Sequence, residues 1–197
     1  SHNTAVGYNA GGNTTTGVQN TFLGSLAGDA ITTGFANVAI GFQALSSDDV
    51  GTNTVAIGQN ALFAQNFSTA TATYNVAVGQ SAGAAVTTGV RNTFVGGLSG
   101  DGTDDGTDNV GVGYGALTAN SANQNTAVGS EALSACTGAN NSAVGYAAGF
   151  EITSGVNNLA LGKDALRTGS PGGPATSDNN VVGLGDENIG SLHCQTA

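Results

Sequence analysis

Carboxylates and aromatic rings are the groups in this chain with the chemistry to do something, and two stretches concentrate them. Residues 101–108 (DGTDDGTD) set Asp101, Asp104, Asp105 and Asp108 in a glycine-rich turn. Hard oxygen ligands crowded into a tight loop suit calcium, the one cofactor this chain could be expected to hold. The spacing matches neither the EF-hand loop nor the calcium-binding nonapeptide, which favours a solvated acidic turn. Residues 63–74 (FAQNFSTATATY) carry Phe63, Phe67 and Tyr74. Aromatic side chains dominate binding hot spots, so this stretch reads either as a ligand contact or as the cap of a local apolar patch.

Catalytic chemistry has less behind it. His2 belongs to Ser1-His2, which reads as an expression-tag scar, and His193 lies near the far end; no serine, aspartate or metal-ligand set accompanies either. GLGDEN and GVGYG imitate phosphate loops but open no helix. A polysaccharide-cleaving protein could assemble a carboxylate pair between chains, with Glu131 or Glu151 as candidates. Cys136 and Cys194 are more than three repeats apart, too far for a disulfide at about 4.8 Å per coil. Cys136 therefore reads as buried filler.

These residues are hung on a repeat. Gly7, Gly24, Gly41, Gly58, Gly79, Gly96, Gly113, Gly129, Gly145 and Gly162 are separated by 17, 17, 17, 21, 17, 17, 16, 16 and 17 residues. So short a period marks a solenoid, here all-β and parallel, with about eleven coils of 16–17 residues. Before each glycine stands Val, Ile or Leu. Two before it stands a small residue, usually Ala, replaced by Phe22, Phe94 and Gly111. Four before it stands Asn, with Thr54 as the exception, which predicts an asparagine ladder along the coils. Neighbouring apolar columns on a strand point to opposite faces, so the strands are expected to be buried on both sides, one face filling the coil and the other needing another protein surface.

Four positions after the glycine the chain carries either Leu (Leu45, Leu62, Leu117, Leu133, Leu166) or Gly (Gly11, Gly28, Gly83, Gly100, Gly149). Coils with Gly there hold Ile31, Val86, Ile152, Thr14 or Thr103 three residues later, whereas coils with Leu hold Asp48, Gln65, Asn120, Cys136 or Gly169. We read this as volume compensation in a close-packed interior. Residues 3–166 form the repeat domain. Residues 167–179, with both prolines of the chain, read as a linker ending the solenoid, and 180–197 as a junction strand leading toward a further C-terminal domain. The absence of Met marks the sequence as an excerpt.

Composition bounds the partners. The 197 residues include 13 acids against Arg91, Lys163 and Arg167, a net charge of −10. Such a surface repels nucleic acid and anionic membrane, and no apolar run is long enough to insert in a bilayer. A thin Ala/Val core against a backbone entropy of about 1–2 kcal/mol per residue argues for an obligate oligomer, expected to be a homotrimer.

The repeated lines NTAVG and NVAIG resemble the head repeats of trimeric autotransporter adhesins, the YadA-like head. That resemblance implies a left-handed parallel β-roll wound as a trimer. The longer period, with Ala-Leu and Thr-Thr-Gly, is similar to repeats in bacteriophage tail fibres. Residues 182–195 resemble the stretch preceding a peptidase S74-like intramolecular chaperone domain. The implied role is a structural and host-recognition segment on a virion or bacterial surface, contacting a host glycan or protein. An ice- or mineral-binding array of the pairs Thr15-Thr16, Thr32-Thr33 and Thr87-Thr88 is an alternative.

Overall fold

The computed structural model describes residues 2–170, 173–186 and 188. Ser1, His193 and Cys194 lie outside the described residues, as does most of the junction beyond Asp186. Each repeat contributes one three-residue strand: β1 (Thr4–Val6), β2 (Thr21–Leu23), β3 (Val38–Ile40), β4 (Val55–Ile57), β5 (Val76–Val78), β6 (Thr93–Val95), β7 (Val110–Val112), β8 (Thr126–Val128), β9 (Ser142–Val144), β10 (Leu159–Leu161) and β11 (Val182–Leu184). They form one 11-stranded sheet in chain order, every pair parallel, and the described residues contain no helix. Pairing puts each column on itself: Ala39 faces Ala56, and Ile40 faces Ile57. Between strands the corners continue the stacking, with Gly28 N donating to Ala44 O at 2.9 Å and Leu45 N to Ala61 O at 3.0 Å. The chain is thus a parallel β-solenoid, as its period predicts.

A coil this small must turn sharply, and it does so with left-handed residues at the same places in each repeat. The column glycine is one of them: Gly58 has φ +133°, and a Cβ there would lie 2.3 Å from the carbonyl oxygen of Gly79 in the next coil. Both the dihedral and the stacking therefore require glycine. Other left-handed corners carry side chains, as in Ala36 (φ 57°), Gln43 (φ 55°) and Leu45 (φ 52°). Each costs roughly 1–2 kcal/mol. They persist because hydrogen bonds from the coils above and below over-determine the backbone.

The middle residue of each strand points into the coil. Ala39, Ala56, Ala77, Ala127, Ala143 and Ala160 are fully buried, as are Phe22 and Phe94 where they replace Ala. The flanking residues point outward, and within one chain the column before the glycine is open to solvent, with Val6 58%, Leu23 47% and Val144 46% exposed: the face expected to need another protein surface. Beside several of the Gly positions the volume is made up by a strand residue, a place other than the two expected. A Cβ on Gly11 would sit 2.5 Å from the Phe22 ring and one on Gly28 2.3 Å from it, so one ring fills the space of two missing leucines. Phe94 does the same between Gly83 and Gly100. Cys136 is buried in the core, where burial pushes its thiol up to about 11.

The asparagine ladder is present, and its rungs run from side chain to backbone. Asn37 Oδ1 accepts the Thr54 N–H at 3.0 Å while its Nδ2 donates to Gly51 O at 2.9 Å. Asn20, Asn92, Asn125 and Asn141 repeat this pair of bonds. The stretch 167–179, expected as a linker that ends the solenoid, is followed by a further strand in register. Across it Asn158 Oδ1 accepts the Val181 N–H at 2.9 Å and β11 adds to β10 in register. The proline-rich composition predicted a break, but the backbone bonds on either side carry the stack over it.

Candidate functional site

The aromatic stretch 63–74 divides between inside and outside. Phe67 is 8% exposed, whereas Phe63 is 39% and Tyr74 59% exposed. Phe67 is therefore buried, apart from the main cluster of core side chains, and closed to a ligand in this conformation. The four extra residues of this coil repair the ladder where Thr54 interrupts it. Thr54 has no side-chain amide to continue the ladder, and its hydroxyl meets that of Thr73 at 2.7 Å. Gln65 Nε2 donates to Asp48 Oδ2 at 2.6 Å and to Thr54 Oγ1 at 3.1 Å, and Asn75 Nδ2 donates to Gln65 Oε1 at 2.8 Å. All five groups are buried. Burial raises the Asp48 carboxyl above the usual carboxylate range, against the opposing hydrogen bond from Gln65.

The acidic turn 101–108 is likewise drawn into the coil framework. Arg91 holds Asp108 with two bonds, Nε to Oδ1 at 2.6 Å and Nη2 to Oδ2 at 2.8 Å, which keeps that carboxyl below its ordinary value. The Thr87 hydroxyl donates to Asp104. Asp101 is half-buried, and desolvation raises its carboxyl; Asp105 is exposed. Among the described residues no three His, Cys, Asp or Glu side chains converge as a metal would require. The four aspartates are thus neighbours in sequence that the turn does not gather round one point.

The glutamates fall in two different surroundings. Glu151 Oε2 accepts from the Thr168 N–H at 3.0 Å and its hydroxyl at 2.8 Å, and Arg167 stands 3.8 Å from its other oxygen. Arg167 also binds Asp164 at 2.7 Å and lies 4.9 Å above the Phe150 ring. Bonds first from Lys163 and then from Arg167 hold the Asp164 carboxyl low, the opposite of what a general acid needs. Glu131 instead lines an open recess of about 310 Å³ with Tyr114, Thr118, Ser134, Phe150 and the edge of Leu98. Tyr114 and Gly115 end the GVGYG stretch, and Glu131 is a candidate for the inter-chain carboxylate pair; the other lining residues carry no sequence signal.

The threonine pairs are partly engaged by the fold: the hydroxyls of Thr15, Thr32 and Thr87 bond to the next coil. The outward strand face has no partner among the described residues. Its column of Val6, Leu23, Ile40, Ile57, Val78, Val95, Val112, Val128, Val144 and Leu161 is exposed or half-buried along the stack. No helix among the described residues is long and apolar enough to cross a membrane. No protein-family model, curated protein or solved structure matches the chain.

Proposed function

We propose that this chain is a structural and host-recognition segment of a trimeric fibre or adhesin, displayed on a virion tail or a bacterial surface and meeting a host glycan or protein. The observation that carries this reading is the aliphatic column on the outward strand face. It offers water one exposed or half-buried Val, Ile or Leu per coil, about 4.8 Å apart. A contiguous apolar strip of this length marks an interaction surface. The strip repeats with the coil, so a second and third copy of the same chain can match it rung for rung, a left-handed roll closing about a three-fold axis.

A rod also suits the remaining features. Its core and ladder leave the corner columns free to vary, so recognition can be carried at the corners while the shaft stays constant. The charge of −10 per chain keeps such a rod dispersed. Sedimentation equilibrium tests the assembly: the expected mass is three times 19.0 kDa, and Val144→Lys on the strip should dissociate it. A folded, monodisperse monomer at micromolar concentration would refute the trimer.

A further inference from the structure

We propose that the recess beside Tyr114 binds a single neutral pyranose ring of a glycan; this rests on, and narrows, the reading of the chain as a recognition segment. Two glycines that the fold does not demand stand beside Tyr114: Gly115 lines the recess, and Gly97 leaves a face of the tyrosine ring uncovered. Nearly every described glycine stands where a Cβ would collide with a neighbour, but Gly97 and Gly115 have room: the nearest atoms to a Cβ would be Tyr114 Cδ2 at 3.6 Å and Thr118 Cγ2 at 3.7 Å. Their columns confirm that side chains fit there. The position of Gly97 is filled elsewhere by Tyr8, Ser25, Phe42, Gln59, Gln80, Tyr114, Ser130, Tyr146 and Lys163. That of Gly115 is filled by Asn9, Leu26, Gln43, Asn60, Ser81, Leu98, Glu131, Ala147 and Asp164, all at the same left-handed φ as Gly115. Two adjacent coils thus each lack a side chain that their columns otherwise supply, and both gaps adjoin one tyrosine.

What surrounds the gap fits a sugar. Tyr114 is 59% exposed, and its ring face carries the negative side of the aromatic quadrupole, which attracts the weakly positive C–H face of a pyranose. Phe150 adds a second apolar wall. Glu131 offers carboxylate oxygens with no hydrogen bond among the described residues, a strong acceptor for sugar hydroxyls, and Ser134 offers a hydroxyl. Thr118 Oγ1 is already donated to Ser134 O at 2.9 Å and serves as wall. An apolar recess of about 310 Å³ with a few convergent polar groups is the form small-ligand sites take. Glu131 and the overall charge of −10 exclude an acidic sugar.

The test is saturation-transfer NMR on the assembled protein with methyl β-galactopyranoside, methyl β-glucopyranoside and methyl α-mannopyranoside, and methyl sialoside as the anionic comparison. At least one neutral pyranoside should receive saturation on its ring C–H protons, and the sialoside none. Tyr114→Ala and Gly115→Gln, the latter filling the recess with the side chain that Gln43 carries in the same column, should each reduce the transfer at least five-fold. Sedimentation of both variants should match the parent. A trimer that gives no transfer from any pyranoside overturns the recess and leaves the fibre reading standing. Equal transfer in parent and both variants also overturns it. A monomer whose transfer is lost in both variants supports the recess and overturns the trimer.

Discussion

Replacing Asn37 by Ala tests whether the ladder holds the coils together. Its two bonds, to Thr54 N at 3.0 Å and Gly51 O at 2.9 Å, are buried, and water cannot replace them without opening the stack. Leaving a buried donor and a buried acceptor unpaired costs about 1–3 kcal/mol each, so the loss is roughly 2–6 kcal/mol per chain. For a domain of this size each kcal/mol lowers Tm by about 2–4 °C, which places the expected fall on the order of 10 °C. Gln43→Ala is the control. Gln43 is half-buried, makes no side-chain hydrogen bond among the described residues, and keeps its Cβ at the same left-handed corner. Its Tm should move by no more than about 2 °C. Calorimetry with far-UV circular dichroism measures both, and equal shifts would refute the ladder argument. Asn37→Asp adds a second check. It keeps the acceptor for Thr54 but sets a carboxylate oxygen against Gly51 O. Its folded-state pKa must rise above about 3.9, so the deficit against the parent should shrink as pH falls through that raised value.

Phe22→Ala should cost about 3–5 kcal/mol by emptying the space between Gly11 and Gly28, and adding Gly28→Leu, the pairing found at Ala39 and Leu45, should recover part of it in denaturant titrations; no recovery would sink volume compensation. Cys136, buried and with its thiol raised to about 11, should resist iodoacetamide at pH 8 in the native protein and react fully in denaturant, as followed by mass spectrometry of its peptide. Asp48, whose folded carboxyl is raised by burial, binds its proton more tightly folded than unfolded. Stability should therefore fall as pH rises from the unfolded value of about 3.9 through the folded one, and the Tm difference between parent and Asp48→Asn should favour the parent increasingly from pH 7 down to 4. A difference that stays flat across that range would count against the assignment.

The repeat made most of the architecture legible, because each column enforces one role: glycine where neighbouring backbones touch, alanine inside, asparagine on the ladder. What could not be read from columns is which face a strand residue takes when both neighbours are apolar. Ala39 and Ile40 look equally suited to a core, and only the three-residue length of β3 and the corners on either side decide that Ala39 goes in. The sites were less legible for a related reason. Phe67 has the composition of a binding residue, but the insertion around it serves the ladder break at Thr54, a task visible only once Thr73, Gln65 and Asp48 are in place. The four aspartates of the acidic turn are close in sequence, yet Asp108 turns to Arg91 in the preceding coil. The recess at Tyr114 had a signal in two glycines outside the glycine columns, though its walls come from coils up to 52 residues apart, Leu98 to Phe150.

Strand contacts run only between consecutive strands, β1 with β2 and so on to β10 with β11. Mechanically, such a shaft is a chain of equal links. Its coil-to-coil hydrogen bonds lie along the long axis, so tension applied at one end loads the terminal coil alone and passes to the next only after that coil has let go. Most releases free 16–17 residues, about 55 Å of extended chain, and the two longer coils somewhat more, so stretching a single chain should give a sawtooth of small events instead of one abrupt rupture. The same linkage lets length change without redesign. One coil added or removed lengthens or shortens the shaft by about 4.8 Å and leaves every remaining contact except those at the joint as it was.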